Sequence, residues 1–133
     1  MITWTKGKFS GVLFLLVVIS ACYMNYAERL AFTPEAPDKA CIRMASVLEG
    51  LEYTVTKKNE APDRYITSKP YVWAEKSIKE PEGKIKATIE FAQNQGETQI
   101  SIRVDWIGKA QIKDQILKDA TAEISEAFEK TAK

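Results

Sequence analysis

Residues 84–106 read KIKATIEFAQNQGETQISIRVDW, and this stretch decides the fold. Ile85, Ala87, Ile89 and Phe91 alternate with Lys84, Lys86, Thr88 and Glu90. Ile100, Ile102, Val104 and Trp106 alternate in the same way with Gln99, Ser101, Arg103 and Asp105. A period of two puts each apolar set on one side of an extended chain, so both segments are strands with one core face and one wet face. Asn94-Gln95-Gly96-Glu97 lies between them and supplies the turn of a hairpin. Arg103 and Asp105 fall on the polar face, where the simplest reading is a pair of solvated charges.

Downstream of Gly108 the period becomes helical. Ile112, Ile116, Leu117, Ala120, Ile124, Ala127 and Phe128 form one stripe, which predicts a helix over 110–131 lying on the apolar face of the sheet. Upstream, Arg64–Trp73 is rich in strand formers, with Pro70 requiring an edge or a bulge. Leu51, Tyr53 and Val55 alternate with Glu52, Thr54 and Thr56 and predict another strand, followed by turns at Lys57–Asp63 and Lys79–Gly83. Cys41, Met44, Ala45 and Leu48 share a helical face. Pro37 suits the first position of that helix and Gly50 its end, giving a helix over 38–49. The order is α-β-β-β-β-α. The expected fold is α+β, a four-stranded antiparallel meander with two helices packed on one face, formed by residues 37–133.

Composition narrows the chemistry. The 133 residues carry 19 Lys and Arg against 18 Asp and Glu, which is not the basic excess of a nucleic-acid partner. There is no histidine, which removes histidine-based catalytic triads, metal ligands and pH switches together. No carboxylate pair, glycine-rich phosphate loop or cysteine metal cluster stands out, so no enzyme activity, metal or cofactor is expected. Of the two cysteines, Cys41 lies on the apolar helix face and reads as a buried, inert core residue.

The N-terminus carries the most specific message. Phe9–Cys22 reads FSGVLFLLVVISAC and follows Lys6 and Lys8, the layout of a secretory signal. Its last four residues, Ile19-Ser20-Ala21-Cys22, resemble the lipobox of bacterial lipoproteins. That resemblance implies a signal peptide over 1–21, acylation of Cys22, and a lipidated N-terminus with linker over 22–36. Two or more acyl chains hold a protein stably on a bilayer where one does not. Tyr23, in a position where inner-membrane lipoproteins carry Asp, implies the outer membrane with the domain facing the periplasm. Two alternatives are an uncleaved span over Phe9–Tyr26 and plain secretion after Ala21. All three put residues 27–133 outside the cytoplasm. The linker, with Tyr23, Met24, Tyr26, Leu30 and Phe32 among charges, either lies on lipid, packs on its own domain or docks as a strand on a partner.

The element order is similar to that of the helix-grip domains of envelope lipoproteins such as BamC, a resemblance that covers 37–133. A tethered domain with one wet sheet face and no catalytic constellation is expected to act as an accessory or scaffold subunit that contacts another envelope protein. Tyr71 and Trp73 are the candidate contacts, with edge-strand packing as their simpler role. The alternative is a module for a small ligand, lipid or glycan held between sheet and helix.

Overall fold

A computed structural model of the chain describes residues 25–60 and 69–132. The elements are β1 (Tyr26–Thr33), α1 (Pro37–Gly50), β2 (Thr54–Asn59), β3 (Tyr71–Ile78), β4 (Gly83–Asn94), β5 (Glu97–Gly108) and α2 (Asp114–Lys130). The fold is α+β: two helices on one face of an antiparallel sheet ordered β1-β5-β4-β3-β2.

The predicted hairpin is present. Gln95 and Gly96 both take positive φ, 50° and 88°, the backbone that lets a two-residue turn follow the twist of its strands. Ile85, Ala87, Ile89, Phe91, Ile100, Ile102 and Val104 are all buried, and with Met44, Leu48, Leu117, Ile124 and Phe128 they fill the space between sheet and helices. Helix α1 packs over β2, β3 and β4, and α2 over β1 and β5.

Four strands were expected and five are observed. The additional strand, β1, is drawn from the segment read as linker, and it pairs with β5 over its full length from Tyr26↔Asp105 to Thr33↔Thr98. The four later strands form the predicted meander, and β1 closes the sheet beside β5 rather than beside β2. The strand escaped the sequence pattern because its sides are inverted in size. Ala27, Ala31 and Thr33 face the core beneath α2, where little room remains, while Leu30 and Phe32 point out and are 57% and 51% exposed. The domain therefore includes Tyr26–Thr33 and does not begin at Pro37.

Other boundaries move as well. Leu51 and Glu52 finish the α1 turn, their N–H groups donating to Val47 and Glu49 carbonyls, and Glu52 adopts φ 70°. The strand expected over 51–56 is thereby displaced to Thr54–Asn59. It takes in Lys57–Asn59, where the sequence predicts a turn. Strand β3 runs Tyr71–Ile78 instead of Arg64–Trp73. Residues 64–68 lie outside the described residues. Pro70 precedes the strand, so it interrupts no ladder bond, and its carbonyl accepts from the Phe91 N–H at 3.0 Å. The register shift falls in β2, between Val55 and Lys57. Helix α2 starts at Asp114, four residues later than expected.

Candidate functional site

The strand registers assemble the outer sheet face in rows. Leu30, Ser101, Glu90, Tyr71 and Asn59 are aligned across all five strands. The next row is Glu28, Arg103, Thr88, Trp73 and Lys57, and a third joins Tyr26, Asp105, Lys86, Glu75 and Thr54. On β3, β4 and β5 these side chains alternate with core positions, so the pleat that builds the core also gathers them on one surface.

Tyr71 and Trp73, the contacts expected from sequence, occupy this face half-buried. Their ring centroids are 5.5 Å apart and tilted by 41°. Lys57 Nζ lies 5.1 Å and Lys86 Nζ 5.2 Å from the Trp73 ring centroid, so two cations flank the indole. The register shift in β2 sets Lys57 opposite Trp73, and Thr56 Oγ1 donates to the Trp73 carbonyl at 3.3 Å. The simpler role expected for these aromatics, packing on an edge strand, does not apply, because β3 lies inside the sheet between β4 and β2 and the edges are β1 and β2. Both aromatics leave surface open to solvent.

Arg103 is the electrostatic centre of the other half. It donates to both Asp105 carboxylate oxygens, at 3.1–3.3 Å, and reaches Glu28 at 3.5 Å. Its guanidinium carbon lies 4.2 Å over the Tyr26 ring. The hydrogen bonds to Asp105 raise the guanidinium pKa above its ordinary value. Arg103 and Asp105 are a surface pair, as the sequence suggested, joined by Glu28 and Tyr26 from the strand the sequence did not reveal. Between Arg103 and Leu30 the small side chains Thr88 and Ser101 leave a trough of about 570 Å³, with Glu28 and Glu90 on its walls. This surface can contact a partner through aromatic and aliphatic groups and satisfy its polar groups through one arginine and its carboxylates.

The remaining candidates fall elsewhere. Cys22 lies outside the described residues. Cys41 is fully buried, its Sγ–H donating to the Tyr71 carbonyl at 3.5 Å, and burial pushes the thiol up to about 11. An aromatic disulfide reagent at pH 8 is therefore expected to leave Cys41 unmodified in the native domain and to titrate it fully in denaturant. Rapid native-state labelling would contradict that burial. Among the described residues no group of His, Cys, Asp and Glu is placed to hold a metal. No helix among them is long and apolar enough to cross a membrane.

Sequence reasoning missed one cluster. Arg43 of α1 reaches Glu35, the carbonyl of Phe128 and, at 2.6 Å, the Thr131 hydroxyl, and its guanidinium sits 3.5 Å over the Phe128 ring. The Arg43 hydrogen bond lowers the Glu35 pKa. Thr98 Oγ1, buried in β5, donates to the Glu35 carbonyl at 2.6 Å. This cluster fastens the β1–α1 corner to the end of α2. Arg43 lies 85 and 88 residues from Phe128 and Thr131, beyond any local pattern.

No protein-family model and no curated protein matches this chain. Solved structures do resemble it. The vertebrate conserved region of human METTL16 superposes with a TM-score of 0.51 at 10% identity, covering 78% of this chain and 95% of that one. The di-domain aromatase/cyclase StfQ of the steffimycin biosynthetic pathway reaches 0.44 at 9% identity, covering 82% and 50%. The 18 kDa protein CC1736 of Caulobacter crescentus reaches 0.44 at 13% identity, covering 82% and 96%. The METTL16 likeness is one of fold, a sheet with helices on one face. The other two are too distant to carry an argument.

Proposed function

We propose that this chain is a lipid-anchored envelope protein that serves as a non-enzymatic accessory or scaffold subunit, binding another envelope protein through its outer sheet face. The observation that carries the reading is the composition of that face. Leu30, Phe32, Tyr71 and Trp73 all point away from the core, around a centre of Arg103, Glu28 and Glu90. Large apolar groups on a surface that no element among the described residues covers favour a partner. The alternative, a ligand held between sheet and helices, would need space where Phe91, Phe128, Met44 and Leu48 pack, each no more than 2% exposed.

Acylation of Cys22, with residues 1–21 removed, is the anchor this reading requires, and the outer membrane facing the periplasm is its place. The start of the fold favours it over an uncleaved span. Asn25 accepts from the Trp106 N–H and Tyr26 opens the sheet, so an apolar span could use only residues 9–24. Those 16 residues fall below the roughly 17–25 that cross a bilayer.

Two measurements test the reading. Mass spectrometry of the mature N-terminus is expected to find an acylated Cys22, and an unmodified Cys22 or an intact Met1 rejects the anchor. Photo-crosslinkers at Trp73 and Leu30 are expected to trap one reproducible envelope protein in intact cells, while one at Glu126 on α2 traps none. Adducts only between copies of this chain would reject the scaffold role.

A further inference from the structure

The position of β1 fixes how closely the domain is held to its membrane, an inference that rests on acylation of Cys22. With Tyr26–Thr33 in the sheet, the linker expected within 22–36 no longer separates anchor from fold. Asn25 is bonded both to the end of β5 and to the segment that leaves it. Its carbonyl accepts from the Trp106 N–H at 3.1 Å and its side-chain amide donates to the Ile112 carbonyl at 3.4 Å. Cys22 is three peptide units away, at most about 11 Å.

The surface at this point suits a lipid headgroup layer. Ile107 is 45% exposed, and Lys109 and Lys113 are exposed on the same connection. The loop is firmly seated. Trp106 Nε1–H donates to the Ala110 carbonyl at 2.7 Å, and a Cβ built on Gly83 or Gly108 would come within 2.5 Å of the indole, so glycine lets both strands close on it. Lys79 and Lys84 border Ile107 on the other side, beside Glu82. Asp114 opens α2, and Glu49 and Glu52 lie at the α1–β2 corner of the same end. The charge here is therefore mixed, and basic only around Ile107.

We propose that the Trp106–Lys113 connection rests on the phospholipid headgroups of the membrane that holds Cys22, with Ile107 entering the interface and Lys109 and Lys113 meeting headgroup phosphates. The Asn94–Glu97 hairpin, roughly 33 Å away along β5, points away from the bilayer, and the outer sheet face stays open to a partner.

The test uses full-length lipidated protein in vesicles of phosphatidylethanolamine and phosphatidylglycerol. A nitroxide is attached at Ile107→Cys or at Glu97→Cys, and collision with an aqueous nickel chelate is compared with collision with oxygen. Native Cys41 is buried and Cys22 is acylated, so each variant offers one reactive thiol. Lys109→Cys replaces Ile107→Cys if circular dichroism shows that variant misfolded. The expected result is a severalfold lower nickel collision rate at 107 than at 97. Equal rates at both positions, or shielding at 97 alone, in protein whose Cys22 is acylated by mass spectrometry, would overturn the proposal and leave the anchor standing. An unmodified Cys22 rejects the anchor, and this proposal with it.

Discussion

A chain that begins at Pro37 is expected to lose cooperative unfolding, while one that begins at Asn25 keeps it. Removing 25–36 strips β5 of a partner along eight registered pairs and turns Ile100, Ile102 and Val104 into an edge strand. It uncovers α2, which packs on β1, and deletes the buried Ala31 and Thr33. It also deletes Glu35, whose carbonyl accepts from buried Thr98 and whose carboxylate pairs with Arg43. These losses fall on a domain that only roughly 5–15 kcal/mol holds folded. Urea melts followed by far-ultraviolet circular dichroism and tryptophan fluorescence provide the check. A cooperative transition for 37–133 at the same midpoint as for 25–133 would show that β1 is dispensable.

Arg43→Ala is expected to cost the domain about 2–3 kcal/mol. The guanidinium joins three parts of the fold: Glu35 at the β1–α1 corner, the Phe128 carbonyl and Thr131 at the end of α2, and the face of the Phe128 ring. Truncation leaves a half-buried carboxylate unpaired and uncovers the aromatic. Lysine restores charge but not the flat fork, so Arg43→Lys should recover less than half of the loss.

The ion pair also sets an acid dependence. Glu35 has its pKa lowered in the fold, chiefly by the Arg43 hydrogen bond, so its contribution is complete above the ordinary carboxylate range. It disappears as pH falls through the lowered folded value. The stability gap between the parent and Glu35→Gln should therefore be constant near neutrality and shrink in acid. A gap that grows on acidification would contradict the pairing.

The parts of this fold legible in sequence are those whose chemistry repeats along the chain. The hairpin could be read because Ile85 to Phe91 and Ile100 to Val104 alternate cleanly and Gln95-Gly96 accepts positive φ. Both helices could be read because their core residues recur at helical spacing. Tyr71 was assignable to a strand but not to a face, because Pro70 left the local register open. Its position beside Trp73, Glu90 and Asn59 comes from pairing across strands.

By itself, the sequence determined the α+β class, the core hairpin, the helical stripes and an N-terminal stretch resembling a lipobox, because each is written in neighbouring residues. Only the tertiary structure decided that Tyr26–Thr33 is a strand, since its small core-facing residues carry no apolar signature until α2 is placed over them. It alone brought Glu28 and Tyr26 to Arg103, and Arg43 to Phe128, because side chains more than 70 residues apart meet through packing and not through pattern.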